Sequence, residues 1–356
     1  MGLTRPPAAT MRAVRMTAWG EEPAYGTVER PVPRGAEVVV RVAATGLCHS
    51  DLHIADGPAG ALPYRLPFTL GHEVAGEISA LGPDAGGRTT GERVVVYGPW
   101  GCGECDRCAA GRDNYCDRRG ELDWHGAGLG RDGGMAEYVR VPSARYLVPI
   151  GDLPAEQAAP LSDAGLTSYH AVVGVRGALG EGTTAVVVGV GGLGHLAVQI
   201  LRATTPSRVL AVDIRESALA LAHRSGAHFA TLAQEDTARV LRARTGGVGA
   251  DAVLDFAGTN ASLELATGVL RPGGELSVVG SGGGRLTVRK PGALPPGCRL
   301  SLPFWGTRAE LAEVVALARS GALHVETERF PLSAAAEAFG RLRRGQVRGR
   351  AVLVPG

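Results

Sequence analysis

The chain lacks several things. None of its apolar runs nears the ~20 residues needed to cross a bilayer; Thr184–Val190 is typical of the longest. A membrane partner is therefore not expected. Residues Met1–Thr10 hold one Arg and two Pro but no apolar core, so no secretory signal is read there. They are expected to form a short disordered lead-in, and the expected compartment is the cytoplasm. Charge is nearly balanced, with 37 basic and 35 acidic residues and a net charge of +2. Nothing in that balance calls for nucleic acid. No solenoid repeat and no low-complexity tract is visible. Glycine is abundant, at 53 residues, but without the Gly-X-Y period of collagen. Tight turns and close backbone approaches are expected instead. Hydrophobic residues make up 45% and charged residues 20%, which excludes disorder for most of the chain. A chain of 356 residues suggests two domains, each with its own core.

Four of the six cysteines, Cys102, Cys105, Cys108 and Cys116, fall in one short stretch spaced C-x2-C-x2-C-x7-C. A reducing cytoplasm disfavours disulfides. Thiolates this close suit one shared ion, and four of them match tetrahedral zinc. An iron–sulfur cluster is the competing reading. It is weakened because Cys116 precedes Asp117, not the Pro of the ferredoxin pattern.

The first part of the chain reads as β-rich. Strands are predicted at Glu37–Ala43, Val74–Ser79, Arg93–Tyr97 and Ala136–Val141. After about residue 155 the pattern changes. A helix is predicted over Leu161–Val175. Strands at 184–188, 208–212, 229–232, 252–256 and 275–279 then alternate with helices at 195–203, 217–225, 237–245 and 261–270. That alternation implies βαβ units and a parallel sheet. Leu311, Val314, Val315 and Ala318 mark one further amphipathic helix.

Gly189-Val190-Gly191-Gly192-Leu193-Gly194 matches G-x-G-x-x-G between a buried strand and a helix. Gly189 permits the tight turn, Gly191 the approach of a pyrophosphate, and Gly194 close packing of helix on strand. The diphosphate is expected on the helix N-terminus. Asp213-Ile214-Arg215 ends the next strand. The Asp213 carboxylate suits ribose hydroxyls and repels a 2′-phosphate, which favours NAD over NADP. Arg215 is the type of residue that accommodates that phosphate. A plain glycine turn and a solvated strand-end acid are the bland alternatives.

Cys48 in G-L-C-H-S-D and His72 in G-H-E are each ordinary alone. Together with the four-cysteine loop and the glycine fingerprint they stand in the order of the zinc-dependent medium-chain alcohol dehydrogenases. The chain resembles that family from Met11 to Pro355. L-S-D-A-G-L-T-S-Y-H at 161–170 and P-F-W-G-T-R at 303–308 are similar to bacterial NAD-dependent secondary alcohol dehydrogenases.

The resemblance implies an α/β fold of two domains. A β-rich GroES-like catalytic domain would span residues 1–160 and 306–356. A Rossmann domain with a doubly wound parallel sheet would span 161–305, with the active site in the cleft between them. It implies two zinc ions and NAD. The catalytic zinc would be held by Cys48, His72 and Asp163, where liver-type enzymes carry a cysteine in place of the aspartate. A carboxylate oxygen binds zinc at ~2.0–2.2 Å, so the departure is chemically acceptable. Glu73 would be a fourth or alternating ligand, or an acid outside the ligand set. Asp51 would accept the other ring N–H of His72.

The implied reaction is hydride transfer between a secondary alcohol, acidified by zinc, and NAD, with a small-molecule alcohol or ketone as substrate. Ser50 is placed to accept the hydroxyl proton. His53 matches a relay histidine, or is a plain surface residue. His49 and Arg348 match positions facing the pyrophosphate, and Thr167 would touch the nicotinamide. The bland alternative for the Arg341–Arg350 cluster is a solvated face, and that is the reading for Arg343 and Arg344. Leu52, Tyr64, Trp100, Trp124 and Trp305 are pocket candidates for hydrophobic or aryl substrates. Residues 281–301 would build a dimer edge and part of the pocket, giving a homodimer or homotetramer. Cys298 is expected to be buried and inert. A biosynthetic reductase acting on C=N or C=C is the first rival; a zinc- and NAD-binding protein without activity is the second.

Overall fold

The computed structural model describes residues 9–292 and 294–356. Residues 1–8, most of the expected lead-in, lie outside them. The chain divides into two compact units, residues 1–163 with 327–356, and residues 164–326. The second crossing lies later than the expected 305/306. Helix Arg308–Arg319 packs on helix Ala164–Val175 and so stays with the second unit. His170 and Tyr169 on one helix pair with Glu310 and Glu313 on the other.

The first unit is built on a seven-stranded sheet. Its main path runs Leu147–Pro149, Arg93–Val96, Glu73–Leu81, Val38–Leu47, Arg350–Val354, Thr327–Pro331. Val38–Leu47 is central because its β-branched residues are buried on both faces. The last strand of the chain pairs with it antiparallel, placing Ala351 opposite Leu47 and Val352 opposite Gly46. On its other side Gly46 pairs with Glu73. The last strand of the chain therefore lies beside the Cys48 and His72 motifs.

The second unit is a six-stranded parallel sheet. Its order is Phe229–Leu232, Arg208–Asp213, Thr184–Val188, Ala250–Asp255, Leu270–Val278, Arg299–Ser301. Numbered along the unit this is 3-2-1-4-5-6, the doubly wound dinucleotide-binding order. Val186, Val188, Leu210, Val253 and Leu276 form its buried core. Ligands in such sheets bind beyond the strand C-termini at the switch point, here the ends of Thr184–Val188 and Ala250–Asp255.

The single helix expected over 161–175 is interrupted. A 3-10 turn covers Ala159–Ser162 and the α-helix begins at Ala164. Asp163 sits at the break with φ −126° and ψ −67°, off the helical backbone. Cys298 is half-buried and packs on the second unit's core, so it is less enclosed than expected.

Candidate functional site

The site in the first unit starts where Val38–Leu47 ends. Cys48 precedes helix His49–Asp56, and Asp51 accepts the Cys48 backbone N–H at 2.9 Å. That bond fixes the turn that presents the thiol. Asp51 Oδ1 faces His72 Nδ1 at 3.3 Å, both side chains fully buried. The opposite ring nitrogen, Nε2, lies 3.4 Å from Asp163 Oδ2. That oxygen is 3.5 Å from Cys48 Sγ. One sulfur, one nitrogen and one oxygen thus converge within 4.8 Å of one another, all buried.

Gly71 carries the chain into His72 at φ +95°, and a Cβ there would meet Met135 N at 2.7 Å. Only glycine fits that approach. The electrostatics of the group also suit a cation. Burial opposes charging of His72. The Asp51 charge, with the hydrogen bonds of the ring to Asp163, Asp51 and Cys48, overrides it and holds the ring well above the usual histidine range. A charge field that favours a proton on this imidazole favours a divalent ion among its ligands. The mixed S, N, O donor set is that of zinc with room for a substrate.

Glu73 does not join this group. Arg350 forks onto it, with Nε to Oε2 at 2.9 Å and Nη2 to Oε1 at 2.6 Å. Burial raises the Glu73 carboxyl against the pull of Arg350. Burial likewise works against the Arg350 charge, but Cys48 and Glu73 hold it well above the ordinary value. Arg350 escaped the sequence reading, which grouped it with a solvated arginine cluster. Its signal was position: it opens a strand whose next three residues are fully buried. Arg343 and Arg344 are exposed, and Arg343 bridges Asp56 and Glu22 at the surface.

The four cysteines of the 102–116 loop also converge within 4.8 Å. None of the four is in a disulfide, and the Cys102–Cys108 and Cys105–Cys116 sulfurs stand 4.0 Å apart. A tetrahedral ion with ~2.3 Å bonds sets its sulfurs about 3.8 Å apart. N–H groups of Glu104 and Cys105 point at Cys102 Sγ and lower its pKa to about 7. Burial pushes the Cys108 and Cys116 thiols up.

In the second unit the glycine fingerprint has the expected geometry. Gly189 turns at φ +86°. A Cβ on Gly194 would lie 1.9 Å from the Gly189 carbonyl, whereas one on Gly191 would meet nothing nearer than Arg215 Nη2 at 3.8 Å. Helix packing therefore requires Gly194, and the backbone at Gly191 is left approachable. Leu193 stands at the N-terminal boundary of helix Gly194–Thr204. Asp213 is buried and accepts the Val190 N–H at 2.7 Å, tying the strand end to the fingerprint. Its other oxygen accepts the Arg215 N–H at 3.0 Å and Nε–H at 3.2 Å. Ile214 beside it is 80% exposed, an apolar surface at the mouth of the turn.

The remaining predicted residues scatter. Ser50 Oγ lies 3.6 Å from Cys48 Sγ. His49 and His53 are exposed on helix His49–Asp56, so His53 is not brought to the ligand group. Thr167 is buried on helix Ala164–Val175 and Arg348 is exposed. Trp100 is core: its Nε1 donates to the Tyr97 carbonyl at 2.9 Å. Leu52, Tyr64 and Trp305 are buried, and Trp124 is half-buried under Arg131. The Tyr64 hydroxyl lies 3.0 Å from His125 Nδ1. Burial and the Arg119 charge lower the His125 pKa to about 4.

Two family models match the chain: an alcohol dehydrogenase GroES-like domain at residues 34–152 and a zinc-binding dehydrogenase domain at 192–320. An NAD-dependent alcohol dehydrogenase of Sulfurisphaera tokodaii is 35% identical over 355 residues, covering 97% of this chain and all of that one. The crystal structure of the alcohol dehydrogenase of Aeropyrum pernix superposes with a TM-score of 0.90 at 35% identity, covering 97% and 100% of the two chains. An acetophenone reductase of Geotrichum candidum, solved with NAD, gives a TM-score of 0.84 at 30% identity over 99% and 98%. With the thiol–imidazole–carboxylate group, the four-thiol loop and the dinucleotide fold, these likenesses define the chain. It belongs to the zinc-dependent medium-chain alcohol dehydrogenases and is an NAD-dependent oxidoreductase, and its Cys48–His72–Asp163 and four-cysteine groups each fit a zinc ion.

Proposed function

We propose that the enzyme interconverts secondary alcohols and ketones, with a preference for apolar or aryl substrates. The observation that carries this reading is the convergence of Cys48, His72 and Asp163 within 4.8 Å. These three would hold the catalytic zinc, and Cys102, Cys105, Cys108 and Cys116 the structural one. Zinc supplies Lewis acidity that lowers the pKa of an alcohol toward neutrality, and NAD accepts or returns the hydride.

The chain's own residues do the rest. Asp51 orients His72 and keeps it basic. Ser50, two residues after the thiol with its Oγ 3.6 Å from Cys48 Sγ, takes the hydroxyl proton outward. Asp213 accepts the ribose hydroxyls, and the Gly189–Gly194 turn carries the diphosphate. Ile214 offers an apolar face to the adenine. His49, Thr167 and Arg348 complete the cofactor contacts. The intact ligand set beside Ser50 disfavours a reductase of C=N or C=C bonds.

The relative named as an acetophenone reductase supports aryl ketones as substrates. A homodimer or homotetramer is proposed through the sheet edge at Arg299–Ser301. That edge strand carries exposed Leu300, with Leu302 exposed beside it. Among the described residues no helix is long and apolar enough to cross a membrane, and a cytoplasmic enzyme is the proposal. The test is initial-rate kinetics with NADH on acetone and acetophenone, and with NAD on 2-propanol and ethanol. Ketone reduction with 2-propanol preferred over ethanol is expected. A clear preference for ethanol would remove the secondary-alcohol assignment.

A further inference from the structure

We infer that His195, braced by residues 324–326, is a positioning residue for the cofactor diphosphate: it pins the Gly191 carbonyl so that the fingerprint turn presents N–H groups to the anion. The inference rests on the Gly189–Gly194 turn being the diphosphate site. His195 is the second residue of helix Gly194–Thr204 and is fully buried. Its Nδ1 lies 2.8 Å from the Gly191 carbonyl oxygen, and its Nε2 lies 3.2 Å from the Glu326 backbone nitrogen. A carbonyl only accepts and an amide N–H only donates. The ring is therefore the neutral tautomer with its proton on Nδ1, and both bonds depend on that form.

The bonds on either side show what the pin does. Before it, the Val190 N–H is held by Asp213 at 2.7 Å. After it, the Leu193 carbonyl accepts the hydroxyl of buried Ser168 at 3.0 Å, from helix Ala164–Val175. Between these anchors stand Gly191 and Gly192, residue types with the widest backbone freedom. Sterics do not hold this peptide: a Cβ on Gly191 would meet nothing nearer than Arg215 Nη2 at 3.8 Å. In a trans peptide the C=O and the next N–H point opposite ways. Drawing the Gly191 carbonyl to His195 therefore turns the Gly192 N–H away from the ring. A flipped peptide would reverse both. The turn would then lose a donor and gain an acceptor, and successive N–H groups are what make such a turn bind anions.

The ring is itself held from behind. The Gln199 side chain, one turn further along the helix, pairs with the His324 backbone in both directions. Its Nε2 donates to the carbonyl at 2.9 Å and its Oε1 accepts the N–H at 2.8 Å. That pair fixes the segment whose Glu326 N–H meets His195. The segment closes the second unit, just before strand Thr327–Pro331. The cofactor turn is thus braced from the far end of its own unit, 131 residues on.

The test is displacement of NADH fluorescence by ADP-ribose, which carries the diphosphate, and by adenosine, which does not. Wild type should bind ADP-ribose more tightly than adenosine. H195A should weaken ADP-ribose by about 3–10-fold, the effect of one hydrogen bond, and leave adenosine unchanged. Asn sets an amide N–H where Nδ1 stands, whereas Gln sets its amide where Nε2 stands. H195N should therefore restore most of the loss, and H195Q should match H195A. Q199A loosens the brace and should show a smaller loss of about 2–3-fold, again confined to ADP-ribose. An H195A enzyme that binds ADP-ribose as wild type does would overturn the pin. So would equal weakening of both ligands, since His195 would then serve only the fold, or an H195Q as good as H195N. If the His195 variants do not fold, Q199A decides by the same two outcomes, unchanged ADP-ribose affinity or unselective loss. A wild type that binds adenosine as tightly as ADP-ribose would instead overturn the diphosphate site itself.

Discussion

At the residue scale, Asp51 does two jobs with two oxygens. One accepts the Cys48 N–H and the other faces His72 Nδ1. Asp51→Asn keeps the shape but removes the charge behind the imidazole. It should weaken binding of the catalytic metal by about 10–100-fold, measured by competition with a chelator, while the cysteine-loop metal stays bound. Unchanged affinity would show that Asp51 serves only the helix start. Asp213 has a comparable double role, accepting from Val190 with one oxygen and from Arg215 with the other. Asp213→Gly removes the repulsion of a 2′-phosphate and frees Arg215 to meet it. The ratio of kcat/KM for NAD to that for NADP should fall; an unchanged ratio would show that Asp213 does not read the ribose. Cys48, His72 and Asp163, each ordinary alone, were legible through the resemblance, because the runs around them stand in the order of the family. Arg350 was not, because an arginine's burial depends on which strands close over it. Two of those strands lie some 300 residues away in sequence.

At the scale of elements, the fingerprint helix depends on one missing methyl. Gly194→Ala would set a Cβ against the Gly189 carbonyl. Overpacking of this kind costs about 1–3 kcal/mol. A lower melting temperature and weaker NAD binding in a fluorescence titration are expected together. Helix Arg308–Arg319 gives a pH test. Thr307 caps it, and Glu310 closes the box by accepting the Thr307 N–H at 2.7 Å while facing His170 at 2.9 Å. Burial pushes the Glu310 carboxyl up, but the bonds from His170 and Thr307 outweigh it and hold it below the usual 4.5. Its stabilising effect is therefore present above pH 4.5 and is lost as pH falls through the lower folded value. Melting curves for Glu310→Gln should show less acid destabilisation than wild type in that window. Parallel curves would contradict the pairing. Most strands and helices of this unit were legible, because each strand is a short apolar run and each helix an amphipathic one; the exposed edge strand Arg299–Ser301 was not. The break at Asp163 was not. The apolar pattern continues through it, and the departure lies in backbone angles.

At the scale of the whole molecule, the parallel sheet of the second unit followed from local alternation of strand and helix, whereas its order 3-2-1-4-5-6 is set by the crossovers and was not read from the sequence. The first unit's sheet did not, because strands from both ends of the chain interleave in it. Its site residues come from near positions 50, 72, 163 and 350. A sheet edge carrying Leu300, with exposed Leu302 adjoining it, predicts self-association. Leu302→Arg should lower the mass seen by light scattering; an unchanged assembly would place the contact elsewhere.

The central claim is that Asp163 completes a catalytic metal site with Cys48 and His72. The most direct test is elemental analysis of zinc per chain, with NADH-linked ketone turnover, in wild type and Asp163→Ala. The account predicts two zinc ions and turnover in wild type. In Asp163→Ala it predicts one zinc ion, no turnover and retained NAD binding. An Asp163→Ala enzyme that keeps both zinc ions and full turnover would contradict it.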